Sequence, residues 1–442
     1  MPKSLSLSFR SFGFSAGTGL TIILTLLPAC KCPASPPAPG LAAFAPATPL
    51  SAAPMPRLLQ AFDARLPVTE RQLPIVFRSA QDAARRFAAH PEALLTVPYG
   101  DQPSFAEEIL NRSGGLALAL PLEDRPRHNR PTPHDIFLFS VRSWEKDAVQ
   151  ARRQLRQAAS NGWLTVLFAS AAGRPADIPA DFLIDNGAAG PGAAEAPVNA
   201  LANVLNVWVW QCEFVAACSR QGEIPSILLS IYLPESKAHN EPIQKDRLIR
   251  VPCSNAVPEG VLARTYLDRV HRLVGDLNRN PVRNQIEAAA KLIRARRAAG
   301  KTVALSSCAH FCMNEITLDT RATWKPVHAV WQASTAFSNT LHRGDLLVWL
   351  AYIGISTPHE DYGRYIRQSG ADVVTCFVPH PDPAKNAPDA RAQIDQSWDL
   401  GDAEVAIPFT PGHMAPVSGL NVGLIFRLLD EAVADPATFP HS

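Results

Sequence analysis

The sequence lacks any marked excess of one charge and any short motif of nucleotide chemistry. Its 442 residues carry a formal net charge of +2. No block of lysine and arginine with interleaved aromatic residues occurs, which argues against a nucleic-acid partner. Without a P-loop, a GxSxG elbow or a GxGxxG fingerprint, nucleotide transfer and α/β-hydrolase chemistry have no support. With 47% hydrophobic and 19% charged residues, the composition is that of a soluble globular protein of two or three units.

The N-terminal residues 1–56 lack an apolar run long enough to span a bilayer. Residues 20–27 are mostly apolar, whereas a membrane helix needs about 20 such residues. A weakly basic start before this run and the sequence LPAC ending at Cys30 resemble a secretion signal with a lipobox, in which Cys30 would be lipidated and anchor the chain to a membrane. Residues 33–56, rich in Pro and Ala, suit a flexible tether. The alternative is a start at Met55, which gives a cytoplasmic protein.

The later cysteines show no spacing typical of a disulfide framework. They lie far apart in mostly apolar surroundings, so buried free thiols are favoured over disulfides. The segment Cys308-Ala309-His310-Phe311-Cys312 contains residues that can bind metal, but its spacing fits no common structural zinc pattern and no second cluster completes it. We therefore predict no metal site and no cofactor. These cysteines are Cys212, Cys218, Cys253, Cys308, Cys312 and Cys376.

After residue 62, short apolar runs alternate with amphipathic stretches, as in a parallel sheet with crossover helices. In the first half we predict strands at 94–97, 116–120, 135–140, 163–168 and 182–185, with helices at 105–112 and 146–160. In the second half we predict strands at 302–305, 327–331, 345–350, 372–377 and 404–407, with helices at 311–318 and 360–368.

The two halves repeat the same order at a nearly constant distance. The aspartates that begin the third strands, Asp135 and Asp345, are 345 − 135 = 210 residues apart, and the loops at Ser104 and His310 are 310 − 104 = 206 apart. Such offsets indicate an internal duplication, with units at 62–235 and 236–435. Each half ends in an apolar helix, at 201–219 and 420–434. The first of these is apolar on most faces, so we expect it to be buried at the junction of the halves.

Residues 344–379 read GDLLVWLAYIGISTPHEDYGRYIRQSGADVVTCFVP. A strand begins at Asp345, a turn contains Gly354-Ile355-Ser356, and a second strand follows a Gly-Ala pair. This arrangement resembles the sugar isomerase (SIS) phosphosugar-binding domain, in which the third strand begins with Asp and ends in a Ser-x-Ser-Gly-x-Thr turn. The resemblance covers residues 62–435. It implies two tandem three-layer α/β/α units with parallel, doubly wound (flavodoxin-like) sheets, and a sugar phosphate or sugar derivative as ligand.

The resemblance places the ligand at the loop that follows the third strand. A helix N-terminus offers free backbone N–H groups and the positive end of the helix dipole to a phosphate, and glycine permits close approach. In the first half, Trp144 stands where the family has glycine. In the second half Gly354 keeps that glycine, although the family's two serines fall on Ala351 and Ile353. The second loop is therefore the better candidate site.

We predict that the ligand is held by two loops of the second half, mostly through backbone donors. The residues Ser306, Ser307 and His310 come from one loop, and Gly354, Ile355 and Ser356 from the other. Ser104, at the position equivalent to His310, and Ser143 are the first-half candidates. For Ser356 a simple helix cap is an equal alternative.

Three functions fit this site. The first is binding of a sugar phosphate without strong catalysis. The second is a phosphosugar isomerase, because aldose–ketose isomerisation needs a carboxylate such as Glu360 to move a proton and often a histidine such as His359 to open the ring. Adjacent helical residues point about 100° apart, which disfavours joint action of this pair. The third is a non-binding assembly module that forms a homodimer through buried helices.

Overall fold

The fold is taken from a computed structural model. It describes residues 55–99, 103–124, 131–192, 195–231, 233–307, 325–326, 341–353, 368–378, 390–396, 398, 402–408, 410 and 412–436. All of these residues belong to the compact unit Leu50–Ser442. The predicted signal segment, its lipidation residue Cys30 and the predicted strand at 327–331 lie outside the described residues.

The first half forms a five-stranded parallel sheet with the order β2-β1-β3-β4-β5. Its strands are β1 Leu95–Val97, β2 Ala119–Pro121, β3 Ile136–Ser140, β4 Leu164–Ala169 and β5 Phe182–Asp185. The second half forms another five-stranded parallel sheet with the order β12-β11-β10-β8-β9. Its strands are β8 Val303–Ser307, β9 Lys325–Pro326, β10 Leu346–Ile353, β11 Asp372–Val378 and β12 Ala392–Asp395. Read from the second strand of each unit, both orders are 2-1-3-4-5, the flavodoxin-like doubly wound arrangement.

Two antiparallel ribbons complete the described strands. They are β6 Glu223–Pro225 with β7 Arg250–Pro252, and β13 Ala403–Ala406 with β14 His413–Pro416. The described α-helices are α1 Arg57–Asp63, α2 Leu66–Arg71, α3 Leu73–Ala89, α4 Pro103–Ile109, α5 Trp144–Ser160, α6 Ala196–Ser219, α7 Ser236–Lys245, α8 Val261–Leu277, α9 Asn280–Ala298 and α10 Ser418–Ala434.

Helices cover both faces of the first sheet. One face packs the side chains of Phe137, Phe139 and Leu167 against Ala151 and Leu155 of helix α5. The other face belongs to the main core, which includes residues of helices α3 and α6. Alternate strand residues therefore point into two apolar layers, as a doubly wound sheet requires. This confirms the predicted α/β fold class.

The predicted fifth strand of the second sheet was wrong. Residues 404–407 do not join that sheet, because Ala403–Ala406 pairs antiparallel with His413–Pro416. The edge position is taken by Ala392–Asp395, which pairs in parallel with β11. Ile394 is the one large apolar residue in that short strand, so its pattern gave no strong strand signal. Its last residue lies 395 − 185 = 210 positions after Asp185, the last residue of β5.

The aspartates before β3 and β10 make the same hydrogen bonds in both halves. Asp135 Oδ1 accepts from the backbone N–H of Leu94 at 3.3 Å, and Asp345 Oδ1 accepts from that of Thr302 at 3.0 Å. In each case Oδ2 accepts from the backbone N–H three residues earlier, at 3.1 and 2.8 Å. The donors are 302 − 94 = 208 residues apart and the acceptors 210. This repeated contact fixes equivalent positions in the two halves.

Helix α6 is long and apolar enough to cross a membrane, yet the helix lies inside the protein. It packs against α3, α8 and α10, so it contacts elements from both halves of the chain. Three buried asparagines on this helix donate to backbone oxygens at strand ends: Asn199 to Arg142 O at 2.9 Å, Asn203 to Val141 O at 3.0 Å and Asn206 to Asp185 O at 3.1 Å. The helix therefore both fills the core and holds the carboxyl end of the first sheet.

A buried ion cluster joins helix α4 to the start of helix α10. The guanidinium of Arg112 lies 3.3 Å from Glu108 Oε2 and 3.2 Å from Asp402 Oδ2, and it donates to Ser418 Oγ at 2.6 Å. The backbone of Gly419 passes so close to the Glu108 carboxylate that any Cβ there would clash. Burial raises the pKa of Asp402 to about 6. One buried cation thus links residues separated by about 300 positions.

Candidate ligand site

The strand order defines one crevice in each sheet. In the 2-1-3-4-5 arrangement the strand order reverses between the first and third strands, and ligands bind at the carboxyl ends of those strands. In the first sheet this point lies between β1 and β3, and in the second sheet between β8 and β10. We call these the first and second crevices.

Trp144 packs into the core directly after the loop that follows strand β3. It is the first residue of helix α5, its side chain is 4% exposed, and its indole Nε1 donates to Ser170 O at 2.8 Å. The ring belongs to the apolar cluster that includes Phe139 and Val141. The bulky residue at the family's glycine position is therefore a packed part of the core.

Asp147 supplies a carboxylate to the backbone amides of the same loop. Its Oδ2 accepts from the backbone N–H groups of Arg142 and Ser143, each at 3.1 Å. These donors precede a helix N-terminus, where the helix dipole also favours negative charge. In this loop the carboxylate of Asp147 thus binds the backbone amides that a phosphate would otherwise bind.

The two predicted serines of the first half are also buried. Ser143 precedes helix α5 without capping it through its side chain, and its Oγ donates to Pro191 O at 3.2 Å. Ser104 lies in helix α4 and is 1% exposed. Nearby, Pro98, Phe105 and Ser140 line a cavity with a volume of about 10 Å³, roughly the space of one water molecule. No sugar phosphate fits in this cavity.

In the second crevice, Ser306 and Ser307 belong to strand β8 itself, not to the following loop as predicted. Both are buried, and Ser306 Oγ has no hydrogen-bond partner among the described residues. Ser306 pairs in register with Trp349, which pairs with Thr375, and the Thr375 hydroxyl is likewise buried without a partner. Because buried hydroxyls normally find partners, two such groups in one row mark an unusual position.

Gln396 ties together the carboxyl ends of the second sheet. Its Nε2 donates to Ala351 O at 2.5 Å and to Cys376 O at 2.9 Å, and its Oε1 accepts from Trp398 Nε1 at 2.7 Å. Ala351 O is 351 − 141 = 210 positions after Val141 O, which helix α6 holds in the first half. Burial raises the pKa of the Cys376 thiol well above its ordinary range, so this cysteine stays protonated and is a poor nucleophile.

The remaining predicted site residues lie outside the described residues. They are His310, Gly354, Ile355, Ser356, His359 and Glu360. The offset of 210 measured at the third strands aligns Gly354 with Trp144 and Thr357 with Asp147 by sequence, since 354 − 144 and 357 − 147 both equal 210. By this alignment the second half has glycine and threonine at the positions of Trp144 and Asp147.

Sequence reasoning missed Asp147 and Gln396. For Asp147 a local signal exists, because an acidic residue in the first turn after Ser143 is typical of helix caps. For Gln396 no local signal exists, since its three partners lie on different segments of the chain.

No family model and no curated protein matches this sequence. Among solved structures, the chain is similar to the C-terminal domain of glucosamine-fructose-6-phosphate aminotransferase from Francisella tularensis, with 8% identity, a TM-score of 0.48, and coverage of 85% of this chain and 94% of that one.

A candidate sugar binding protein from Salmonella typhimurium LT2 gives 9% identity, a TM-score of 0.49, and coverage of 85% of this chain and 99% of that one. A candidate tagatose-6-phosphate ketose/aldose isomerase from Clostridium novyi NT gives 8% identity and a TM-score of 0.48, with coverage of 86% of this chain and 89% of that one. Similarity at this level assigns neither a ligand nor an activity to the present chain.

Proposed function

We propose that this protein binds a sugar phosphate, or a related anionic sugar derivative, in the second crevice. The observation that carries this proposal is the contact of Asp147 with the backbone amides of Arg142 and Ser143 in the first crevice. A loop that holds a carboxylate is one that can hold an anion. The second half has Thr357 at the position of Asp147, so no side-chain carboxylate stands at that position, and an external anion is proposed to bind the amides that follow strand β10.

The second crevice also offers the groups that a sugar phosphate needs. Gly354 replaces Trp144 and permits close approach of the ligand to the backbone. The buried Ser306 hydroxyl, with no partner of its own, supplies a donor and an acceptor. Together with Ser307, His310, Ile355 and Ser356, these residues form the proposed site. The SIS resemblance of residues 344–379 adds the ligand class.

The two α/β units, at 62–235 and 236–435, are proposed to be a tandem duplication in which the first copy has lost its ligand site. The shared strand order and the repeated contacts of Asp135 and Asp345 support this proposal. In this proposal the first unit contributes only to packing, and the second unit binds the ligand.

Titration calorimetry with a panel of hexose and pentose phosphates tests the proposal. The wild type should bind at least one member, and Gly354→Trp should abolish that binding. Thr357→Asp should weaken it at least about tenfold, because like charges a few ångströms apart repel by about 1–4 kcal/mol near a protein surface. Thr357→Asn is the matched neutral control and should bind like the wild type.

Lys146→Ala changes the first loop at the position equivalent to Ser356, so it should leave binding unchanged. If no sugar phosphate binds the wild type, or if Thr357→Asp and Thr357→Asn bind equally well, the proposal is wrong. The chain would then be better interpreted as an assembly module.

Whether the protein also isomerises its ligand is tested separately with a variant of Glu360. An isomerase must interconvert an aldose phosphate and a ketose phosphate, and Glu360→Gln should stop that reaction while binding persists. A binding protein shows the same calorimetric affinity in both forms and no interconversion in either. The measurement is the ratio of aldose to ketose after prolonged incubation.

A further inference from the structure

A cluster of two histidines and one glutamate lies at the amino end of the first sheet, away from both crevices. His90 follows helix α3, Glu92 precedes strand β1, and His134 precedes strand β3. One ligand atom from each residue lies within 4.8 Å of the others. His90 Nδ1 is 3.8 Å from Glu92 Oε1, and the two imidazole rings stack with centroids 3.3 Å apart.

The backbone around this cluster is held by hydrogen bonds from three directions. Asp135 Oδ1 accepts from Leu94 N at 3.3 Å, which ties the segment before β1 to the turn before β3. Arg86 Nη1 donates to Pro133 O at 3.2 Å, next to His134. Arg250 Nη2 donates to His90 O at 3.2 Å. The Cα positions of the three residues are therefore fixed, while their side chains are partly exposed and can rotate.

Two imidazoles and one carboxylate are a donor set that suits zinc. Zinc–ligand bonds of about 2.0–2.2 Å in tetrahedral geometry put ligand atoms roughly 3.3–3.5 Å apart. The present separations exceed this by little more than an ångström, so rotations of the rings and of the Glu92 carboxylate suffice to bring the atoms together. The rings must open from their parallel stack, because imidazole lone pairs lie in the ring plane.

The second half shows that the fold does not need these side chains at this corner. The offsets of 208 before the first strand and 210 before the third assign Ala298, Gly300 and Gly344 to the positions of His90, Glu92 and His134. The helix end lies one residue later in the second half, where Ala299 follows helix α9. By either count the equivalent corner has no histidine and no glutamate at these positions, and it has the same aspartate contact.

We propose that His90, Glu92 and His134 bind one divalent transition-metal ion of the zinc type. Three protein ligands leave a fourth coordination position to water. The ion would fasten the end of helix α3 to the turn before strand β3. The site is independent of the proposed sugar-phosphate site, which lies at the opposite ends of the strands.

The test is equilibrium dialysis of the full-length chain against zinc chloride at neutral pH, with bound zinc measured by atomic emission. The wild type should bind one equivalent more than the His90→Ala/His134→Ala variant. His271→Ala is the matched control, because His271 Nε2 pairs with Glu70 Oε1 at 2.9 Å and, among the described residues, that pair belongs to no three-ligand cluster. It should bind as much zinc as the wild type.

Glu92→Gln provides a second variant that leaves both imidazoles in place. Glu92 is at the surface, so the fold should tolerate the amide. The dissociation constant for the zinc ion at this site should rise at least about tenfold. Loss of a residue that only hydrogen-bonds a metal ligand already weakens metal binding by that much. Circular dichroism without zinc verifies the fold of each variant. Equal zinc binding by the wild type, the double variant and Glu92→Gln would overturn the proposal.

Discussion

The two crevices share a strand order and differ in the sequence that follows the third strand. In the first, Trp144 packs into the core and Asp147 satisfies the loop amides. In the second, the same positions are Gly354 and Thr357, and β8 contributes a buried serine hydroxyl without a partner. Under the proposed function, two side chains distinguish the structural loop from the anion-binding loop: one packs into the core and one supplies the charge.

The largest expected effect comes from breaking the ion cluster that joins the halves. Arg112→Leu leaves the carboxylates of Glu108 and Asp402 buried without their cation, which should lower the free energy of unfolding by about 3–5 kcal/mol. Urea unfolding measures the loss. Arg152→Leu removes a surface guanidinium that pairs with Asp177 and should leave the urea midpoint nearly unchanged. If both variants unfold at the wild-type midpoint, the cluster does not stabilise the contact between helix α4 and helix α10.

Removing the indole that packs beside the first loop should lower the stability nearly as much. Trp144→Ala empties a packed site and should lower the free energy of unfolding by about 3 kcal/mol. Tyr99→Ala serves as the control, since Tyr99 is 40% exposed. A Trp144→Ala protein as stable as Tyr99→Ala would show that the indole is a removable cover, and the two crevices would then differ less than we infer.

The pH dependence of stability separates the charge of Asp402 in the buried ion cluster from the packing of its side chain. Because burial raises the pKa of Asp402 from 3.8 to about 6, the folded state binds more protons than the unfolded state between these values, and stability contributed by this group falls as pH rises. Relative to Asp402→Asn, the wild type should lose up to about 3 kcal/mol from pH 4 to pH 7. Parallel stability curves of the two proteins would contradict this shift.

The smallest effect is expected at the loop amides. Asp147→Asn weakens two charge-assisted hydrogen bonds at a helix start and should cost about 1 kcal/mol. Glu145→Gln is the control, because it removes an acidic side chain from the same helical turn. Thermal melts at low salt compare the two. An equal loss in both variants would mean that only the helix dipole matters and that Asp147 has no special contact.

Much of the fold could be predicted because the signals are local. The starts of strands β3 and β10 follow from Asp135 and Asp345, whose contacts then set the offset between halves. Strand β12 was missed because Ala392–Asp395 has a single large apolar residue and gains its place from pairing with β11. The ion cluster was missed for a related reason, since Arg112 and Ser418 are 306 residues apart in sequence and meet only through the tertiary fold.

The candidate site could be predicted in part. The bulk of Trp144 against the space at Gly354 is a property of residue type, so the sequence alone favoured the second loop. The occupation of the first loop by Asp147 depends on how helix α5 begins, a geometric fact beyond residue type. The hydroxyl of Ser306 required the strand register, because its neighbours Trp349 and Thr375 are far away in sequence.

Helix α6 is synthesised long before one of the helices that pack on it. Its 24 residues emerge from the ribosome more than 190 positions before Ser418–Ala434, one of the helices that cover it. Until then a nascent chain lacks one of the helices that cover an apolar segment with the length and hydropathy of a membrane span. A chain truncated before residue 418 exposes the part of that surface that Ser418–Ala434 covers, and we expect it to aggregate more readily than the full chain.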